Sequence, residues 1–134
     1  MTSLWQRLEI MRKVCEVLGD VPATQPEGHH LGRPYVTAYQ LAIGLDAQHP
    51  EVGRALGVEI GGAGIGRHNS LAQYLARELS RQIALDGGTA PVEGAFLSHI
   101  HITALTFINA DGGHHTSSLT ESGFPLSMFR LRVI

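Results

Sequence analysis

The sequence predicts an α+β domain in which a helical N-terminal two-thirds is closed by a C-terminal antiparallel β-hairpin. Apolar residues recur at helical spacing as far as Ile83, and the breaker DGGTAP, Asp86 to Pro91, ends that periodicity. Beyond it AFLSHIHITALTFI and PLSMFRLRVI are rich in β-branched and aromatic residues and come close to alternating. With 134 residues, 43% of them hydrophobic and 16% charged, the chain is expected to form one domain over 1–134 with a modest core.

From the N-terminus, Leu4, Leu8, Met11, Val14, Cys15 and Leu18 follow at three- and four-residue spacings, which predicts an amphipathic helix over Ser3–Leu18 ended by Gly19. The next segment, GDVPATQPEGHHLGRP, is a turn-rich connection. Tyr35 and Val36 suit a short strand. Thr37 and Gln40 then have capping-box spacing, so a helix should start there and bury Leu41, Ala42 and Leu45. Pro50 fits a first helical turn, and Glu51–Leu56 forms a further helical piece ended by Gly57. After the glycine run, Asn69 or Ser70 caps a long helix that presents Leu71, Leu75, Leu79 and Ile83 on one stripe, beside the small Ala72 and Ala76. Ala95–Ile108 and the C-terminal segment then form two strands joined by a long projecting loop, NADGGHHTSSLTESGF.

Several classes are excluded or disfavoured by composition. No apolar run reaches the length of a membrane span, so no membrane partner is expected. The charged start MTSLWQRLEIMRK is unlike a signal peptide, which places the chain in the cytoplasm. The single Cys15 can form no internal disulfide and reads as a buried small hydrophobe. A formal net charge of −2 is not the strongly basic balance of many nucleic-acid-binding domains.

The run Gly61-Gly62-Ala63-Gly64-Ile65-Gly66 before a helix raises the prospect of a phosphate cradle. It lacks the spacing of the dinucleotide fingerprint and the Lys-Ser/Thr ending of a P-loop, since Arg67-His68-Asn69 follows. The glycines therefore read as a flexible approach to the helix whose N-terminus they leave open. On that helix Gln73, Arg77 and Arg81 share the face opposite the leucines, and Arg67, Asn69 and Ser70 cluster at its start. Arginine suits guanine edges and phosphates, Gln and Asn suit adenine, and a hydroxyl suits the backbone.

The order helix, short strand, helix, helix, strand, long loop, strand resembles the winged helix-turn-helix superfamily. The resemblance covers most of the chain and rests on the order of elements, with a longer link between the second and third helices and a longer wing than that pattern has. It implies a small domain that acts by binding, with no cofactor expected; surplus apolar surface on the first helix would favour a homodimer. Double-stranded DNA would meet the 70–83 helix through Arg67, Asn69, Ser70, Gln73, Arg77 and Arg81, with the His114-His115 loop as the wing. Histidine titrates near neutrality, so affinity would rise as pH falls. A protein partner in place of DNA is the alternative.

An enzymatic alternative rests on the eight histidines. His99 and His101 would share one face of a strand and could share a metal or a phosphate ester. His101-Ile102-Thr103-Ala104 is similar to the His-hydrophobic-Thr-hydrophobic element of the two-histidine phosphoesterases, although the best second copy, His68-Asn69-Ser70-Leu71, lacks the hydrophobic second position. His99-Ile100-His101 likewise echoes the histidine-triad hydrolases, with Thr103 in place of the third histidine.

Overall fold

The computed structural model describes residues 3–22, 31–61, 70–118 and 126–132. The fold is α+β. Among the described residues five α-helices, α1 (Leu4–Arg7), α2 (Ile10–Gly19), α3 (Ala38–Gln48), α4 (Pro50–Leu56) and α5 (Leu71–Asp86), combine with strands β1 (Val36–Thr37), β2 (Val92–Leu97), β3 (Ala104–Ile108), β4 (His114–Ser118) and β5 (Leu126–Leu131). The strands form two antiparallel sheets, one of order β1-β5-β2 and a separate β3-β4 pair.

The helix expected over Ser3–Leu18 is two helices. Glu9 takes left-handed backbone at φ 51, ψ 46, a conformation that costs a non-glycine residue roughly 1–2 kcal/mol. The break resets the helical phase. Trp5 therefore packs against Tyr74 with ring centroids 6.1 Å apart, and the buried stripe runs through Ile10, Lys13, Val14, Val17 and Leu18 rather than through Leu8 and Met11. Lys13 lies within that stripe, and its Nζ reaches out to Glu51 Oε1 at 3.3 Å.

The next elements follow their local signals closely. Thr37 and Gln40 make the full capping box, with Thr37 N donating to Gln40 Oε1 at 2.7 Å and Gln40 N to Thr37 Oγ1 at 3.2 Å. Helix α3 then buries Leu41, Ala42 and Leu45. It lies so near α2 that a Cβ on Gly44 would stand 2.6 Å from Val17 Cγ1. Pro50 opens α4, and Gly57, at φ 69, closes it in the left-handed conformation glycine adopts freely. Helix α5 adds Leu71, Ala72, Leu75 and Leu79 to one core with Ile10, Val14, Leu45, Val52, Val92 and Phe129.

Strand β5 is the centre of the three-stranded sheet: Val36 pairs with Phe129 on one side, and the whole of β2, from Val92↔Leu131 to Leu97↔Leu126, on the other. Its far end is fixed by charge. Arg130 Nε donates to Glu93 Oε1 at 2.8 Å, while its Nη1 donates to the carbonyls of Leu31 and Arg33.

The expected single strand over Ala95–Ile108 is instead the end of β2 and all of β3, separated by a turn in which His101 has φ 65. Strand β3 leaves the sheet and pairs with β4, from Ala104↔Ser118 to Ile108↔His114. The connection read as a projecting loop thus contains its own hairpin. That hairpin folds against the helices: Phe107 stacks on Tyr39, rings 5.3 Å apart and 7° from parallel, and His115 Nδ1 lies 3.1 Å from the Gly61 carbonyl oxygen.

Candidate nucleic-acid interface on helix α5

The approach to α5 settles what its N-terminus can do. A helix begins with N–H groups that have no partner within the helix, and here the chain fills them itself. Leu71 N donates to the Glu59 carbonyl at 2.7 Å and Ala72 N to the Ile60 carbonyl at 3.0 Å. Gln73 N donates to the Ser70 hydroxyl at 3.1 Å. The first three donors are consumed, so the expectation of an open end able to take an anion is corrected. Ser70 is buried as the cap and does not present its hydroxyl on the outer face. Residues 62–69, with the glycine run, Arg67 and Asn69, lie outside the described residues.

What α5 offers is its side. Its core stripe of Leu71, Ala72, Leu75 and Leu79 is buried, which turns positions 77 and 81 outward one turn apart, while Gln73, expected on the same face, is not free there. Arg77 is exposed and makes no ion pair among the described residues; its guanidinium carbon sits 6.0 Å from the centre of the Tyr74 ring. Arg81 is 68% exposed and meets Glu78 only at 3.8 Å, a contact of small net value in water. Gln73 is partly buried, and its Oε1 is enclosed without a hydrogen-bond partner among the described residues. Burial, with the Glu78 charge adding to it and Arg77 opposing it, raises the Tyr74 hydroxyl above its ordinary pKa, so the ring beside Arg77 is neutral at physiological pH.

The arginines of the sheet are occupied differently. Arg130 is spent on Glu93, on two carbonyls and on the Tyr35 ring 4.3 Å away. Arg132 donates to the Ala90 carbonyl at 2.9 Å. Both hold β5 in place and neither is presented to a ligand.

Beside α5 lies a feature the sequence did not announce. Ser80 and Ile83 of the helix, Gly94 and Phe96 of β2, and Ser127 and Phe129 of β5 line a cleft of about 230 Å³. Strand β2 crosses the end of α5 at Gly94, where a Cβ would meet the Phe129 ring at 3.3 Å and Ile83 Cδ1 at 3.5 Å. Only the folded chain brings these positions together.

The histidine sites dissolve in part. His99 and His101 are exposed in the turn after β2, not on one face of a strand, so the same-face argument for a shared metal fails. Among the described residues no three His, Cys, Asp or Glu side chains are grouped to hold a metal ion. His114 and His115 belong to β4 rather than to a wing loop, and His115 is turned to Gly61. Burial raises the half-buried Cys15 thiol above its usual pKa, away from the reactive thiolate. No helix among the described residues is long and apolar enough to cross a membrane.

No protein-family model matches the chain, and no curated protein or solved structure does either.

Proposed function

We propose that this is a winged-helix-type domain that binds double-stranded DNA by laying α5 in the major groove. Arg77 and Arg81, one turn apart on the outer face of a helix whose inner face is closed into the core, carry the proposal. Arginine in that position can take a phosphate or the O6 and N7 of guanine. The order of elements and the sheet order β1-β5-β2 suit it as well, because β2, the strand that follows α5, packs against that helix.

The test is fluorescence anisotropy of a labelled random-sequence duplex titrated at two salt concentrations, with wild type beside the Arg77→Ala/Arg81→Ala variant. Binding should weaken steeply with salt, and the variant should lower the salt slope by about 2, one phosphate per arginine. Wild type that fails to bind at low salt would sink the idea.

A protein partner is the second possibility, and one observation favours it. From Gln82 to Phe129 the chain has neither lysine nor arginine, while Phe96, Ile100 and Ile108 are exposed on that stretch. If the duplex does not bind, those exposed apolar side chains become the ones to probe.

A further inference from the structure

Strand β2 is an edge strand among the described residues, and its one charged side chain, Glu93, is taken up by Arg130. It is the last strand of its sheet, with no neighbour on the far side among the described residues, and its six-residue register with β5 contains no bulge. Lysine, proline within the strand and bulges are the usual protections of such an edge. VEGAFL has none of them.

The direction of its free groups follows from one hydrogen bond. Arg132 N donates to the Pro91 carbonyl at 2.9 Å, so Pro91, and with it Glu93, Ala95 and Leu97, turns its main chain toward β5. Val92, Gly94 and Phe96 therefore point their N–H and C=O groups outward. Gly94, Phe96, Ser127 and Phe129 lie on the sheet face that meets Ser80 and Ile83 of α5. On that face Gly94 is exposed and carries no side chain, with the Phe129 ring and Ile83 beneath it, and Phe96, two residues on, is a large ring that is 69% exposed.

We infer that β2 pairs with β2 of a second copy of this chain, antiparallel about a two-fold axis at Ala95, so that Phe96 of each copy lies across from Gly94 of the other. In that register Gly94 and Phe96 form hydrogen-bonded pairs across the axis and use the outward groups of both strands. Each ring covers the opposite glycine and enters the cleft beside Ile83, an arrangement in which an aromatic compensates for a glycine on the neighbouring strand. The two rings also approach each other diagonally, within aromatic reach. The occupant is a second copy because the strand is its own complement: the bulge and the hollow are two residues apart on one edge, and only a two-fold partner offers them in reverse order. With 69% of each Phe96 exposed, the two rings contribute roughly 200–350 Å² toward the ~1,200 Å² at which stable interfaces begin, and the paired main chains add to it.

Sedimentation equilibrium on the full chain tests this together with two variants. Wild type should be a dimer in reversible exchange with monomer. Phe96→Lys, at an exposed side chain, should raise the dissociation constant on the order of a hundredfold with the circular dichroism unchanged. Ala95→Cys should give a disulfide-linked dimer under copper–phenanthroline, because residues facing each other in a non-hydrogen-bonded pair stand about 4.5 Å apart, within disulfide reach. Wild type, whose thiol is the half-buried Cys15, is the control. A monomer at all concentrations, a dimer that Phe96→Lys leaves intact, or an Ala95→Cys chain that does not cross-link would each overturn it.

Discussion

The helical body and the β3-β4 hairpin are held by different forces. In the body Ile10, Val14, Leu41, Leu45, Leu75 and Leu79 are wholly removed from solvent, and burial of a leucine on that scale is worth roughly 1.5–3 kcal/mol. In the hairpin the buried side chain among the described residues is the Ser117 hydroxyl, 1% exposed, which hydrogen-bonds with the Leu105 main chain. Among the described residues its side chains meet the body through the Phe107–Tyr39 stack and the His115–Gly61 contact. The body is therefore a cooperative unit, while the hairpin is a tethered one whose opening leaves the core intact.

The largest effect that can test this difference is Leu75→Ala. A fully buried leucine on the central helix should cost about 2–5 kcal/mol, read as a fall of about 10 °C in the melting midpoint. A shift of only a degree or two would show that the body is looser than its burial implies.

Gly44→Ala sharpens the comparison inside the body. Alanine improves a helix interior by about 1 kcal/mol, but its Cβ would stand 2.6 Å from Val17 Cγ1, and overpacking of a stiff β-branched neighbour costs about 1–3 kcal/mol. Packing should win, giving a net loss. A stabilised variant would mean that α2 can withdraw from α3 at no cost.

Phe107→Ala should be smallest in global terms. Loss of the Tyr39 stack removes about 1 kcal/mol from hairpin docking, so amides of 104–118 should exchange several-fold faster while the melting midpoint holds. Cys15 reports on the body in the same sample: its thiol is half-buried with its pKa raised, so labelling at neutral pH is slow. Leu75→Ala should speed that labelling and Phe107→Ala should not. If both do, hairpin and body open together and the contrast is lost.

The parts of the fold that were legible in the sequence are those fixed by local chemistry. The Thr37–Gln40 box, Pro50 and Gly57 bound α3 and α4 as their residue types dictate, and the leucine stripe of α5 gave its inner and outer faces. What escaped was decided elsewhere in the chain. Left-handed Glu9 has no local signal, because its conformation serves the burial of Trp5 and Ile10 on either side. The alternation of Ser98 to Thr103 runs on unbroken through the turn at His101. A signal for the hairpin was present in Asp111-Gly112 after an apolar run, but the partner strand HHTSS is polar throughout and hid it. For the candidate interface, Arg77 and Arg81 follow from periodicity alone. The closed N-terminus of α5 does not, since two of its three donors, Leu71 N and Ala72 N, are met by the distant carbonyls of Glu59 and Ile60.

That closure has an evolutionary consequence. Glu59 and Ile60 grip the first turn of α5, and a Cβ on Gly61 would stand 3.1 Å from the Ser70 side chain, so the two ends of the 62–69 stretch are clasped side by side whatever lies between them. Lengthening a link whose ends are already joined costs little, about 0.6 kcal/mol per doubling. An insertion between those two ends should therefore leave the register of α5 unchanged, which makes the join a natural point for divergence and for grafting foreign sequence.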